Sequence, residues 1–214
     1  MTEREKMLAG LPYLALDPEL TALRHRARRL TRQLNATTEE EAARRAELAR
    51  ELLAAVGRNI ELEPPFRVDY GCHVYVGDGF FANFGCVILD SAEVRIGHGV
   101  LFGPGVHIYT AHHPLAAAER IRPDFGTGPE LASPVTIGDR AWLGGGVIVC
   151  PGVTIGADTV IGAGSVVVRD IPAGVVAAGN PCRVIRALEA PAPSPRGPRA
   201  SGRGDRLAAD GGPE

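Results

Sequence analysis

A mainly β fold, a parallel β-helix built from six-residue steps, is what this sequence predicts, and three observations predict it. Aliphatic residues recur every six positions through the second half of the chain, at Ile137, Leu143, Val149, Ile155, Ile161 and Val167. Gly138, Gly144, Gly156 and Gly162 follow four of these anchors, and Ala141, Val147, Val153, Thr159, Ser165 and Ile171 stand four positions after each one. The same step runs upstream through Ile96, Phe102 and Ile108, with Gly97, Gly103, Val100 and Val106 in register, and through Val76, Ala82 and Ile88, with Gly77, Phe80 and Cys86. An apolar period of six fits neither the helical period nor the two-residue period of an ordinary strand. It is the mark of a hexapeptide solenoid, in which each step gives one short strand and a turn, and three steps close a triangular coil of about 18 residues. The anchors are expected to point inward, and glycine to let the backbone turn its corner.

Two departures from the step locate the interesting part of the prism. Val76 to Ile96 spans 20 residues, so that coil carries two extra between Leu89 and Arg95. Ile108 to Ile137 spans 29 residues, and a coil begun at Ile96 closes at His113. Residues 114–134 are therefore an excursion, and an insertion at one corner of a solenoid tends to form the binding face.

Residues 1–58 lack the step and read as a small helical domain. Asp17-Pro18-Glu19 offers a helix cap followed by proline at the first helical position. Leu20, Leu23, Ala27, Leu30 and Leu34 then form an apolar stripe, with Arg24, Arg26, Arg28, Arg29 and Arg32 on what reads as a solvated face. Thr38 with Glu41 makes a capping box for a further helix carrying Ala42, Ala46, Leu48, Leu52, Leu53 and Val56 and ending at Gly57. Residues 59–75 lead into the solenoid domain, 59–189, and Ile185 with Leu188 is expected to cap its far end. Residues 190–214 are mostly Pro, Gly, Ala, Arg and Ser, too poor in apolar bulk to offset ordering entropy, and read as a disordered tail.

Composition narrows the function classes. The chain has 214 residues, 5% aromatic, and a net charge of −2, which argues against a general nucleic-acid binder. The charged start Met1-Thr-Glu-Arg-Glu-Lys6 is unlike a signal peptide, and no apolar run approaches a membrane span, so the chain reads as cytoplasmic. Cys72, Cys86, Cys150 and Cys182 match no zinc spacing and read as buried or incidental thiols. His113, beside Pro114 where the chain leaves the prism, reads either as a base at a cleft edge or as a surface histidine.

Several blocks together resemble the maltose/galactoside-type sugar O-acetyltransferases: Phe81-Ala-Asn-Phe84, Ile88-Leu-Asp90, Ile108-Tyr-Thr-Ala-His-His-Pro114, Pro134-Val-Thr-Ile-Gly138, Trp142-Leu-Gly-Gly145, Pro151-Gly-Val-Thr-Ile-Gly156, Ile161-Gly-Ala-Gly-Ser165 and Gly179-Asn-Pro181. The likeness covers about residues 2–188. It implies a left-handed β-helix, a homotrimer with active sites between subunits, acetyl-CoA as co-substrate with no tightly bound cofactor and no metal, and a small sugar as acceptor. Under it, His113 matches the catalytic base, Asn83 an acceptor-site amide, and Asp69 a small polar contact. Glu130 falls where a loop glutamate orients the base. Asp17 is either an acidic acceptor contact or only the helix cap. Ser91 stands where some relatives carry Asp. Gly145 matches the position whose N–H faces the thioester oxygen. Trp142 either walls the pantetheine channel or packs between prisms. Ala163, Val168 and Arg169 match the pantetheine and adenine groove, and Arg183 and Arg186 the residues near the CoA phosphates.

Two other readings stay open at this level. A zinc hydrolyase resembling the γ-type carbonic anhydrases would use His107 and His112 with His73 or His98 of a neighbour. A non-catalytic scaffold is the third; His113, Asn83 and Gly145 together speak against it.

Overall fold

The computed structural model describes residues 1–124 and 126–189. The tail expected over 190–214 lies outside the described residues. Three helices lead: α1 (Glu3–Leu8), α2 (Pro18–Asn35) and, after a single 3-10 turn at Glu39–Glu41, α3 (Ala42–Leu52). Asp17 caps α2, accepting from the Glu19 and Leu20 N–H groups at 2.9 and 3.4 Å. The Thr38–Glu41 capping box forms. Leu20, Ala27, Leu30 and Leu34 are buried. Ala27, Leu30 and Leu34 cover the open end of the solenoid, and α2 and α3 share its core with Leu62, Phe66 and Val68, whereas Leu20 packs in a second cluster with Met7, Tyr13, Tyr70 and Ala132.

The β region is a solenoid with three faces. The first carries Ala55–Val56, Val74–Val76, Val94–Ile96, Val135–Ile137 and Thr154–Ile155. The second carries Glu61–Leu62, Phe81–Ala82, Leu101–Phe102, Trp142–Leu143, Val160–Ile161 and Val175–Ala178, with Arg183–Ala187 added antiparallel at the end. The third carries Arg67–Val68, Val87–Leu89, His107–Tyr109, Ile148–Val149 and Val166–Val167. Every anchor of the six-residue step, from Val76 to Val167, is buried. The register pairs anchor with anchor, as in Leu143 with Phe102 and Ile161. Each inward aliphatic thus stacks on the one above it, and burial scales with the number of coils.

Four expectations are corrected. The last leading helix stops at Leu52, not Gly57. Val56 pairs with Val76 in the first rung, where the flanking Ala54 and Gly57 N–H groups donate to the Val74 and Val76 oxygens at 3.0 and 2.9 Å. Residues 59–75 are a full coil rather than a lead-in, with strands on the second and third faces. Glycines that follow an anchor have ordinary φ; their role is close approach. A Cβ on Gly144 would stand 2.7 Å from the Ala163 nitrogen of the next coil. Positive φ falls two residues later instead, at Gly79, Gly85, Gly99, Gly105, Gly146 and Gly164 and at Arg140 and Asp158. Finally, Ile185 is 64% exposed and Leu188 half-buried, so they do not form the expected apolar cap. No helix among the described residues is long and apolar enough to cross a membrane.

Candidate active site

All the insertions fall at one corner, between the third face and the first. The first two coils each place two extra residues there, and the third coil places the excursion. The excursion starts earlier than Pro114: Ala111–His112 pairs antiparallel with Leu131–Ala132. A short helix, α4 (Ala117–Arg120), lies between the two strands. Continuing the register of that ribbon by one residue sets His113 opposite Glu130, on one face of the pair. His113 is exposed, whereas its neighbour His112 is half-buried with Nδ1 enclosed and unpartnered.

The N-terminal segment straps this ribbon down. Tyr13 and Glu130 exchange main-chain hydrogen bonds of 3.0 and 2.9 Å, and the Tyr13 hydroxyl donates to Glu130 Oε2 at 2.8 Å. Burial holds the Tyr13 phenol far above its ordinary range, so it stays a donor to that carboxylate.

Beneath the ribbon, a cavity of about 400 Å³ is lined by Asp69, Tyr70, Ser91, Glu130, Arg24 and Arg28, among others. The structure thus brings together three of the residues named from sequence: Asp69, Ser91 and Glu130. Burial raises the Asp69 carboxyl, and Arg24 and Arg28 oppose that rise. Arg24 does not belong to the solvated face read from the sequence. Its guanidinium donates to the Tyr70 hydroxyl at 2.8 Å and to Thr21 Oγ1 at 3.1 Å. Burial is also the main reason that the Tyr70 phenol is pushed up to about 12.

Asp90 organises the corner from behind and was not singled out from the sequence. It is fully buried and accepts from the Asp69, Tyr70 and His73 N–H groups at 3.1, 2.8 and 3.2 Å. His73 Nδ1 lies 2.7 Å from the Asp90 main-chain oxygen. Thr110 continues the chain of contacts, accepting from the Ala92 N–H at 2.8 Å and donating to the Leu89 oxygen at 2.7 Å. Burial pushes the Asp90 carboxyl up to about 7, against the pull of its main-chain donors. The signal was available in the sequence: Asp90 opens the two-residue insertion, where irregular backbone needs an acceptor.

Asp17 stands outside this cavity. Its carboxylate caps α2 and lines an adjoining cleft of about 360 Å³ with Leu14, Gly128 and Glu130.

The remaining residues occupy a different corner. Asn83, Gly145 and Ala163 stack where the chain passes from the second face to the third, a full face away from His113. Asn83 is half-buried, and its Oδ1 accepts from the Phe84 N–H at 2.8 Å. Among the described residues the Gly145 and Ala163 N–H groups have no acceptor. Trp142 is 52% exposed on the second face, paired between Leu101 and Val160. Val168 and Arg169 are exposed and lie after the last strand of the third face, on the His113 side. Arg183 and Arg186 lie on the closing strand and donate only to main-chain oxygens of Cys182 and Ala187.

Of the histidines considered for a metal, His73, His98 and His107 have partners of their own, and among the described residues His112 does not. His107 Nδ1 contacts the Tyr109 hydroxyl at 2.6 Å, and His98 Nδ1 accepts from the Asp78 N–H at 3.0 Å. Among the described residues no three His, Cys, Asp or Glu side chains gather as a metal set.

Comparison with known proteins bears on the family and the fold. Residues 6–57 match the family described as maltose acetyltransferase hexapeptide capping motif, and residues 134–169 match bacterial transferase hexapeptide (six repeats). The chain is 39% identical to the galactoside O-acetyltransferase of Escherichia coli over 188 residues, covering 88% of this chain and 90% of that protein. A crystal structure of a maltose O-acetyltransferase from Clostridium difficile superposes with a TM-score of 0.84 at 49% identity, over 89% of this chain and 99% of the other. A galactoside acetyltransferase solved in complex with coenzyme A superposes with a TM-score of 0.83 at 39% identity, over 88% and 92%. With its left-handed hexapeptide β-helix, its leading helices and these relatives, the chain belongs to the maltose/galactoside O-acetyltransferase family and is an acetyltransferase.

Proposed function

We propose that the protein transfers the acetyl group of acetyl-CoA to a hydroxyl of a sugar of the maltose, glucose or galactoside class, with His113 as general base. The observation that carries this reading is the cavity at the insertion corner. Asp69, the Ser91 hydroxyl, the loop residue Glu130 and two arginines, Arg24 and Arg28, line it, and hydroxyl-rich ligands satisfy such a set. Glu130, opposite His113, supports the imidazolium that forms. Neutral His113 takes the hydroxyl proton, the oxygen bonds to the thioester carbonyl carbon, the C–S bond breaks, and the imidazolium returns its proton to the CoA sulfur. The free Gly145 N–H suits the developing oxyanion. Arg169, Arg183 and Arg186, which have no acid partner among the described residues, suit the CoA phosphates. The coenzyme A named for the superposed galactoside acetyltransferase supports acetyl-CoA as the donor.

His113 and Asn83 stand at different corners of one prism, so a site that uses both needs two copies of the chain. A closed ring of three uses two unlike surfaces per chain. The second face presents Phe81, Leu101, Trp142, Val160 and Val176 outward beside Glu61, and the third presents Val87, Ile148 and Val166 beside Arg67 and His107, whereas the first presents Tyr75, Arg95, Thr136 and Thr154. We read the assembly as a homotrimer, and the four free thiols fit a reducing cytoplasm.

An acetyl-CoA turnover screen across neutral sugars, read by thiol release, tests the proposal. Turnover with one or more sugars is expected. Failure on every sugar by a protein that still binds CoA removes the acceptor class. The double change Arg183→Ala with Arg186→Ala is expected to raise KM for acetyl-CoA by about a hundredfold or more and leave KM for the sugar close to its starting value, each lost charge-assisted bond costing about 1.5–3 kcal/mol. An unchanged KM for acetyl-CoA would return both arginines to the solvent.

A further inference from the structure

Two cavities meet at Arg28 and Asp69 and make one groove. The cavity already described shares both residues with a second of about 500 Å³, which runs between α2 and the third face. Arg28, Arg32 and Arg67 line this second cavity. Elsewhere in the chain arginines sit on acids, as Arg58 does on Asp78 and Arg140 on Asp158. Among the described residues none of these three is in a salt bridge, and the one carboxylate in the lining, Asp69 at the junction with the first cavity, leaves an excess of positive charge there. A second, independent feature points the same way. Thr31 is only 5% exposed, it lines the same cavity, and its Oγ1 is enclosed without a hydrogen-bond partner. A hydroxyl left so is a donor waiting for an oxygen acceptor. Asn35, also in the lining, is already spent on both main-chain groups of Phe66.

We propose that the acceptor is larger than one sugar unit and carries an anionic group, a carboxylate or a phosphate, that Arg28, Arg32, Arg67 and Thr31 bind in this second cavity. The inference rests on the sugar acetyltransfer reading above and deepens it. The unit to be acetylated lies against Asp69, Ser91 and Glu130. The Asp69 carboxylate, at the junction, accepts hydroxyls from the linked units. The negative group lies beyond Arg28. Guanidinium groups suit either anion through paired N–H donors.

The test uses the full-length oligomer and three acceptors: a neutral disaccharide, the same disaccharide with a uronate on the unit remote from acetylation, and the same with a phosphate monoester there. A preference in kcat/KM of about tenfold for one anionic acceptor over the neutral one is expected, the worth of one charge-assisted hydrogen bond. Which of the two gains it identifies the anion. The preference should fall towards one in the double variant Arg32→Gln with Arg67→Gln, reverse in Arg32→Glu, and shrink with added salt. Both side chains are exposed in the single chain, and because Arg67 stands on the third face, light scattering checks that the double variant keeps its oligomeric state. Calorimetric titration of the three disaccharides without acetyl-CoA reads the cavity independently of turnover. Equal binding and turnover of all three, or a preference untouched by the double variant, overturns the inference and leaves the acetyltransfer reading standing. Binding of the anionic sugar with no acetylation of any sugar does the reverse.

Discussion

His113 and Asp90 show two ways in which one residue matters at this corner. His113 is exposed, has no hydrogen-bond partner among the described residues, and lies opposite Glu130 in the ribbon register. His113→Ala is therefore expected to lower kcat by about 10²–10⁴-fold, the usual share of a general base, while CoA affinity and thermal stability stay near those of the wild type. His112→Ala loosens the ribbon without removing the base, so a smaller loss of kcat is expected. Equal losses in the two would displace the proton transfer from His113. Asp90 acts on the fold. The unfolded carboxyl titrates near ~4 and the folded one near 7, so between those values the folded chain holds a proton that the unfolded chain has released. This contribution to stability is full below about pH 4 and is lost as pH rises through about 7. Asp90→Asn removes the titration. Melting temperature against pH should show a fall across that window in the wild type that is absent in the variant; parallel curves would remove Asp90 as the source.

At the scale of elements, the six-residue step sets which residues face inward, and coil-to-coil spacing sets where glycine is required. Gly144→Ala puts a methyl carbon 2.7 Å from a main-chain nitrogen that cannot rotate away. The coil must part locally, at a cost of about 1–3 kcal/mol. A lowered melting temperature is the expected result; an unchanged one would show that the rungs spread freely. Much of this level was legible in advance. The anchors, the α2 cap at Asp17 and the capping box at Thr38 follow from short-range rules that need only neighbours in sequence. The first rung at Ala55–Val56 did not, because two residues carry no period. Their pairing with Val74–Val76 comes from a strand 20 positions away.

For the whole molecule, the unlike faces of the prism govern assembly. Trp142 stands 52% exposed beside Leu101 at 45% on the second face, and a flat apolar sheet face of this kind is normally covered. Trp142→Glu is expected to dissociate the proposed ring and to abolish turnover with it, since Asn83 and Gly145 then no longer meet His113. Light scattering paired with activity decides this; a fully active monomer would sink the two-copy site.

The sequence by itself determined the solenoid, its inward residues, the corner where it is interrupted and, through resemblance, the family. These are properties of periodicity and of short blocks, written in the order of the chain. Only the tertiary structure decided that Asp69, Ser91 and Glu130 share one cavity, that Arg24 turns inward to Tyr70, and that Asp90 holds the corner together. It also set His113 and Asn83 a face apart, and joined the cavity to a second lined by Arg28, Arg32 and Arg67. The physical reason is common to all of these. Stacking coils brings together residues about 20 positions apart, and docking a helix on them brings together residues much further apart, so their chemistry depends on burial and on unmet hydrogen-bond demand that no local pattern records.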